Sequence, residues 1–182
     1  MPAMVRQAQQ AVVAFDEAVR DKVLPACGPR TVFAADVLAV FTSRWLLIPA
    51  AVAAWTLGRS GCRDRLADGG RAVAAALAVE TVAATAVKLA TRRCRPARPS
   101  GRERPYTSSM PSGHTANVAA AATALAMVTH SDAVLAAGMA LAAITAVSRI
   151  IVNRHWASDG AVGLVLGYAS AKLVEAAAHA RP

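Results

Sequence analysis

Long apolar runs separated by short polar segments dominate this chain and limit the folds open to it. Ala, Val and Leu supply most of the 55% hydrophobic residues, and the mean hydropathy is +0.39. In a bilayer the backbone polar groups must bond within the chain, so apolar runs of about 20 residues predict membrane-spanning helices. The runs therefore predict an all-α integral membrane helical bundle.

Five segments approach spanning length, and residues 1–182 are predicted to form one domain. Small residues such as Gly163 and Gly167 in the last segment are typical of closely packed membrane helices. If each segment crosses the bilayer once, the loops between successive segments emerge alternately on the two faces of the membrane. The predicted spans are 31–58, 72–90, 113–128, 133–152 and 156–178.

Residues 1–30 are predicted to be an amphipathic N-terminal segment, with a helix over 4–24. Val12, Val13 and Phe15 fall on one side of that helix, and polar residues fill the other side. Both a position in the membrane interface and packing against the rest of the protein are compatible with this pattern. The segment lacks a continuous apolar core, so we do not expect a secretory signal.

The formal charge of +9 comes from 17 Arg and 3 Lys against 11 acidic residues. These cations cluster at the ends of apolar segments, which favours anionic lipid over nucleic acid as the partner. Residues 92–111 are predicted to be an irregular loop rich in proline and arginine. Within it, Arg98 is intermediate between a site residue and a surface charge. Four other arginines of the loop are predicted to be membrane-end cations, namely Arg92, Arg93, Arg102 and Arg104.

Ionisable residues inside the apolar segments are costly in a membrane and are often functional. Asp36, Arg44 and Glu80 are such residues, and a structural ion pair between Glu80 and Arg44 is the simplest interpretation. The three cysteines, Cys27, Cys62 and Cys94, show no CxxC spacing and are predicted to be unpaired.

His155 and Asp159 lie four residues apart at the start of a predicted helix, and hence on one face of it. The carboxylate can accept a proton from one ring nitrogen and present the other as a base or nucleophile. A helix-capping Asp beside an interfacial His is the alternative interpretation.

The tetrapeptide from Pro111 to His114 lies where a loop enters a helix. Backbone N–H groups and the helix dipole at such a point favour an anion, so phosphate oxygens fit at Ser112 and Gly113. His114 could then protonate a leaving oxygen. An ordinary Ser N-cap with a solvent-facing His is the alternative.

Lys88, Arg95 and Arg149 are candidate phosphate-binding cations, because a mixture of planar forks and a point charge can hold several oxygens at once. Such cations act where charge spreads over equatorial oxygens in a phosphoryl-transfer transition state. The threading predicts that the helix ends carrying Lys88, His114, Arg149 and His155 emerge on one membrane face.

These segments together resemble the three signature motifs of the type 2 phosphatidic acid phosphatase (PAP2) superfamily, and in particular its short bacterial membrane members. The motifs read Lys88-x6-Arg95-Pro96, Pro111-Ser112-Gly113-His114 and Ser148-Arg149-x5-His155-x3-Asp159, so the catalytic region spans 88–159. The resemblance implies a phosphatase that needs no metal and no other cofactor. It implies a His155 nucleophile that forms a phosphohistidine, an Asp159 that orients it, and a His114 acid and base. It also implies that the phosphoryl oxygens bind to Lys88, Arg95, Ser112, Gly113 and Arg149.

The resemblance implies a lipid phosphate substrate, with an isoprenoid phosphate or diphosphate ranked ahead of a glycerophospholipid phosphate such as phosphatidate. We expect an integral protein of the cell membrane with an extracytoplasmic active site, and leave its oligomeric state open. Two other functions remain: soluble-type acid phosphatase or haloperoxidase chemistry on a non-lipid substrate, and a non-enzymatic protein that binds anionic lipids.

Overall fold

The computed structural model describes residues 3–97 and 108–180, and the secondary structure of these two ranges is helical without strands. The predicted all-α class is confirmed. Seven helices occur in the described ranges: α1 (Ala3–Val23), α2 (Pro29–Phe41), α3 (Arg44–Ser60), α4 (Asp64–Thr91), α5 (Gly113–Thr129), α6 (Asp132–Ile151) and α7 (Ala157–His179).

Helices α4, α6 and α7 are long and apolar enough to cross a membrane, with 28, 20 and 23 residues. Helices α2 and α3 make a fourth candidate span if the pair, bent by 41°, is taken as one. Helix α5 has 17 residues, at the lower end of the range of about 17 to 25 that can cross a bilayer. The integral membrane bundle is confirmed, and the number of spans depends on how α5 and the bent pair are counted.

The prediction of one continuous segment over 31–58 is wrong, because the chain breaks at Thr42 and Ser43. The Thr42 hydroxyl donates to the carbonyl of Leu38 at 2.9 Å, and Ser43 Oγ accepts from the Trp45 amide at 3.3 Å as the cap of α3. Such side-chain bonds offer the backbone an alternative to a continuous helix. The segment between the first two predicted spans, 31–58 and 72–90, is also shorter than those spans imply, because α4 begins at Asp64.

Helix α5 packs against α4, α6 and α7 and lies at the centre of the bundle. Its alanines include Ala116 and Ala120, both fully buried. Helix α7 approaches α5 closely through glycine: a Cβ on Gly163 would lie 2.7 Å from the carbonyl oxygen of Ser112, and one on Gly167 would overlap the carbonyl of Ala116. Small residues therefore set the separation of these two helices.

Helix α1 packs against α6 and α7 through its polar side. Asp16 is only 1% exposed, whereas Val12, Val13 and Phe15 on the other side are all exposed. Of the two predicted positions for this helix, packing against the rest of the protein is confirmed. The apolar side faces outward, away from the bundle.

The three cysteines are free, as predicted. Cys62 and Cys94 are exposed and flank α4, one just before its start and one just after its end. A helix of 28 residues is about 42 Å long at about 1.5 Å per residue, so these two thiols lie at opposite ends of the bundle.

Candidate active site

The predicted site residues meet at one end of the bundle. Lys88 is in the last turn of α4, His114 in the first turn of α5, Arg149 in the last turn of α6 and Asp159 in the first turn of α7. Hydrogen bonds join these ends directly. Lys88 Nζ donates to the carbonyl of Pro111 at 2.6 Å, and the amide of Ser112 donates to the carbonyl of Asp159 at 3.0 Å.

A tight turn after α6 brings His155 back to the end of that helix. The amide of Arg154 donates to the carbonyl of Arg149 at 2.9 Å, and Asn153 has a φ of 51°. Asn accepts this left-handed conformation more readily than most residues, and here its side chain is held by Arg20 and by the carbonyl of Ala97. The turn therefore fixes His155 next to Arg149.

His155 is 5% exposed and has a charged group beside each ring nitrogen. Nδ1 lies 3.5 Å from Asp159 Oδ2, an ion-pair distance at the outer limit of hydrogen bonding. Nε2 lies 3.4 Å from Nη1 of Arg95. A phosphoryl group held by Arg95 would therefore be adjacent to Nε2, the nitrogen that faces away from the carboxylate.

Burial lowers the pKa of His155 below its usual value, because the charged imidazolium loses its hydration, although Asp159 acts in the opposite direction. The ring is therefore neutral at neutral pH. A neutral imidazole has one nitrogen without a proton, which is the form that can act as a nucleophile.

Asp159 is fully buried, and both of its carboxylate oxygens accept hydrogen bonds. Oδ1 accepts from Nη1 of Arg93 at 2.8 Å, and Oδ2 accepts from the Trp156 amide at 2.9 Å and from the Ser109 hydroxyl. The bond to Trp156 caps α7. Asp159 therefore fits both interpretations, because it caps α7 and also faces His155. His155 itself is buried rather than interfacial.

The three predicted cations differ in how much of their hydrogen bonding the protein uses. Lys88 donates to the carbonyls of Pro111 and Ser108, at 2.6 and 3.4 Å, and an ammonium has a third proton. Arg95 Nη1 donates to the carbonyl of Arg154 at 3.0 Å. Arg149 is 4% exposed, yet its Nε and Nη1 have no partner among the described residues. Such unpaired buried donors suit an anion that is bound only during function.

Ser112 is the N-cap residue of α5 by its backbone, but its side chain makes no capping bond, so the N-cap interpretation does not account for its hydroxyl. Its amide is occupied by Asp159, and its Oγ accepts from the hydroxyl of Thr115 at 3.0 Å. The Ser112 hydroxyl proton and the first-turn amide of Gly113 remain as donors for a phosphate. Nη2 of Arg44 lies 3.0 Å from where a Cβ on Gly113 would be. This glycine therefore leaves room for a further cation beside the motif.

A cavity of about 450 Å³ opens next to the site, between the break in α2–α3 and the end of α6. His114 and Arg149 line it together with Asp36. Apolar side chains from the start of α3, Trp45 and Leu46, line it as well. The cavity therefore offers both charged and apolar surface to a ligand of the site.

Arg93, Asp16, Ser109 and Arg44 contact the site or its partners, and none of them was predicted from the sequence to belong to it. The prediction of Arg93 as a membrane-end cation is wrong, because its side chain is 20% exposed and paired with two carboxylates. Arg92 is exposed, as predicted. Arg98, Arg102 and Arg104 lie outside the described residues.

The predicted ion pair between Glu80 and Arg44 is also wrong, since no contact within ion-pair distance joins these two described residues. Glu80 is fully buried and accepts a 3.4 Å bond from Thr81, and its other oxygen has no partner among the residues that the structure describes. Over residues 3–97 and 108–180, no three metal-ligating side chains come together in one cluster.

Comparison with known proteins identifies the family. The sequence model of the PAP2 superfamily matches residues 69–181, which is more than half of the chain and includes all three motifs. The chain belongs to the PAP2 superfamily, and the resemblance seen in the motifs is confirmed.

Two solved structures share the fold, and one further relative matches in sequence over part of the chain. A phosphatidylglycerolphosphate phosphatase of the transmembrane PAP2 type from Bacillus subtilis superposes with a TM-score of 0.76 at 20% identity, covering 93% of this chain and 87% of that one. LpxE from Aquifex aeolicus superposes with a TM-score of 0.68 at 21% identity, covering 86% and 92%. A lipid A 1-phosphatase from Porphyromonas gingivalis is 45% identical over 76 residues, which are 37% of this chain and only 17% of that protein.

Proposed function

We propose that this protein is a membrane lipid phosphatase that removes the terminal phosphate of an isoprenoid phosphate or diphosphate, or of a glycerophospholipid phosphate. Membership of the PAP2 superfamily and the apolar bundle support this proposal. The observation that carries it is the position of His155, with Asp159 on one side of its ring and Arg95 on the other.

In the proposed first step, the terminal phosphate binds to Lys88, Arg95 and Arg149, with the Ser112 hydroxyl and the Gly113 amide as further donors. His155 Nε2 attacks the phosphorus, a P–N bond forms, and the bond to the leaving oxygen breaks. His114 gives its proton to that oxygen. Asp159 stabilises the ring while it gains positive charge, and the cations stabilise the charge on the equatorial oxygens.

In the proposed second step, His114 takes a proton from a water molecule, and the resulting hydroxide attacks the phosphohistidine. The P–N bond breaks, inorganic phosphate leaves, and the neutral ring of His155 is restored. The protein's own cations supply the positive charge in both steps, so we expect phosphate release to continue in the presence of a chelator.

Two observations support a lipid as the substrate. Relatives from three bacteria are named as lipid phosphatases or share the fold of one. The cavity beside Arg149 also has apolar side chains in its wall. Within that class an isoprenoid diphosphate ranks first, on the resemblance to short bacterial family members. Soluble-type chemistry on a non-lipid substrate would not need helices of membrane-spanning length.

A phosphate-release screen tests the proposal. The purified full chain in detergent is given isoprenoid monophosphates and diphosphates, phosphatidate, phosphatidylglycerol phosphate and p-nitrophenyl phosphate, each with and without EDTA. Release from at least one lipid is expected, with His155→Ala inactive. His179→Ala, which changes an exposed histidine at the far end of α7, is the matched control and should keep wild-type activity.

The other outcomes each overturn a part of the proposal. Preference for p-nitrophenyl phosphate over every lipid would favour the soluble-type chemistry, and no release from any substrate would favour the lipid-binding alternative. Turnover by His155→Ala would remove this residue as the nucleophile. With a labelled diphosphate, whose leaving phosphate needs less protonation, His114→Ala should accumulate an acid-labile, alkali-stable phosphoenzyme.

The proposed site faces the outside of the cell membrane. Two native thiols provide the test, since Cys94 is exposed beside the site and Cys62 is exposed at the other end of α4. In single-cysteine variants, a membrane-impermeant maleimide should label Cys94 in intact cells and Cys62 only after permeabilisation. The reverse pattern would place the site in the cytoplasm.

A further inference from the structure

A buried polar cluster connects the N-terminal helix to the catalytic end of the bundle. Asp16 of α1 is 1% exposed, and both of its oxygens are bonded. Oδ2 accepts from Nη2 of Arg93 at 2.5 Å and from the Ser158 hydroxyl at 2.6 Å, and Oδ1 accepts from the Ser158 amide at 2.8 Å. Neither Asp16 nor Arg93 occupies a position in the three signature motifs.

Arg93 is the link between this cluster and Asp159. Its Nη1 donates to Asp159 Oδ1 at 2.8 Å and to the Ser158 hydroxyl at 2.6 Å. The same guanidinium lies 5.8 Å from the centre of the Trp156 ring. A planar fork that is bonded to a carboxylate on each side has one orientation, whereas a lysine could not bridge both carboxylates in this way.

We propose that Asp16 and Arg93 are positioning residues for Asp159, so that helix α1 is a functional part of the active site. The inference rests on the proposed function, in which Asp159 holds the ring of His155. By binding Oδ1, Arg93 turns Oδ2 toward Nδ1 of His155, 3.5 Å away. Asp16 in turn holds Arg93 from the opposite side.

The charges support the same role. Arg93 alone would neutralise Asp159, and His155 would lose the negative charge beside it. With Asp16 included, one guanidinium and two carboxylates carry a net charge of −1. A fixed net negative charge is what stabilises an imidazole ring that becomes positive during attack on phosphorus.

A purely structural role for Asp16, as an anchor of α1, is the competing explanation. The chain contains a matched anchor that separates the two. Arg20, on the same helix, donates from Nε to Asn153 Oδ1 at 2.9 Å, and within the described part of the chain it forms no hydrogen bond or ion pair with Asp159, Arg93 or Ser158. If α1 only needs to be anchored, loss of Arg20 and loss of Asp16 should have similar effects on turnover.

The test compares three variants of the purified full chain: Asp16→Asn, Arg93→Lys and Arg20→Gln. The first two should lower kcat by about 10- to 100-fold, the loss typical of groups that orient a catalytic residue, with KM unchanged. Arg20→Gln should lower the unfolding temperature but keep kcat near the wild-type value. Equal kcat losses in Asp16→Asn and Arg20→Gln would overturn the inference.

A second background separates positioning from general damage. In an Asp159→Asn protein, adding Asp16→Asn should cause no further loss of kcat, because the group that Asp16 positions is already gone. Independent losses in this background would contradict the inference. If Asp16→Asn does not fold, Ser158→Ala removes hydrogen bonds of the same cluster, keeps every charge and should lower kcat by a smaller factor; wild-type kcat in that variant would overturn the inference.

The wild-type protein and His155→Ala keep the two proposals distinguishable. Wild-type turnover that depends on His155 but not on Asp16 overturns only the positioning role. A wild-type protein without phosphatase activity overturns both.

Discussion

Arg93 and Arg149 are two arginines of one site whose side chains differ in how their donors are used. Arg93 donates to two carboxylates and a serine hydroxyl, and its guanidinium lies over the Trp156 ring, 5.8 Å from the ring centre. Arg149 is more deeply buried, at 4% exposure, yet two of its nitrogen atoms have no partner among the described residues. The protein bonds both terminal nitrogens of the Arg93 guanidinium, whereas two nitrogens of Arg149 have no partner among the described residues.

This difference separates residues that build the site from residues that receive a ligand. A buried donor without a partner costs about 1 to 3 kcal/mol, and a folded protein retains such a cost where function needs it. A buried ion pair costs more when one partner is removed than it contributes as a pair. The two arginines should therefore respond to removal with opposite changes in stability.

Of the two arginines, Arg149 should show the larger loss of activity when it is replaced, in Arg149→Met. Loss of one fixed donor to the transition state typically lowers kcat by about 100- to 1,000-fold. The same substitution removes unpaired buried donors, so the unfolding temperature in detergent should rise. Phosphate-release kinetics and thermal unfolding of one preparation give both values, and a fall in stability would show that Arg149 has a structural partner.

Arg93→Met should have a smaller effect on activity and the opposite effect on stability. Its removal leaves Asp16 and Asp159 buried without their shared cation, and breaking a buried pair in this way costs about 3 to 5 kcal/mol. Chemical or thermal unfolding in the detergent used for the assay measures this loss. Unchanged stability would mean that water replaces the guanidinium. The contrast between Arg93 and Arg149 would then not arise from the hydrogen bonds that the protein makes to each side chain.

Inorganic phosphate or orthovanadate should raise the unfolding temperature of the wild type and of Arg93→Met, since ligand binding stabilises the folded state. Arg149→Met should show little or no rise. A thermal shift series over anion concentration measures this difference. An equal rise in Arg149→Met would contradict the proposal that Nε and Nη1 of Arg149 bind the phosphate.

The pH dependence should follow His155, whose ring lies between Asp159 and Arg95. Protonated imidazole cannot attack, so kcat/KM falls as the pH drops through the pKa of His155. Burial lowers that pKa, so the acid limb should lie below the usual histidine value of about 6.5. Two substrates with different phosphate pKa values identify the limb that belongs to the enzyme; an acid limb above that value in both would contradict the buried neutral ring.

The smallest effect is expected for Glu175→Gln. Glu175 and Lys172 form a 2.5 Å ion pair on the exposed side of α7, away from the site. Exposed pairs of this kind contribute little to stability. Activity and unfolding temperature should both match the wild type. A clear loss of kcat would show that a change on α7 can affect the site without altering Asp16, Arg93 or Ser158.

The residues at helix ends could be predicted because their signals are local. Lys88, His114, Arg149 and Asp159 each lie within one turn of a helix terminus, and the alternation of apolar segments places those termini together. Their spacing also matches family motifs. The all-helical membrane class followed from the same runs of apolar residues.

The parts that could not be predicted depend on contacts between distant segments. Arg93 bonds to Asp16, 77 residues away, and nothing in the loop sequence distinguishes Arg93 from the exposed Arg92. The break before α3 could not be placed from hydropathy because the segment is apolar on both sides of Thr42 and Ser43, whose hydroxyls form their bonds only once the backbone is in place.

Gly163 lies one turn beyond Asp159, and a methyl group there would be 2.7 Å from the carbonyl of Ser112. Asp159 lies in α7 and Ser112 directly precedes α5. The hydrogen atom on Gly163 therefore sets how far Asp159, the partner of the proposed nucleophile, lies from the start of the helix that carries the proposed acid, His114. A Gly163→Ala enzyme could keep every catalytic side chain and still be slow. Mutagenesis limited to the polar residues of the site would not reveal this effect, because the distance depends on how closely α5 and α7 pack.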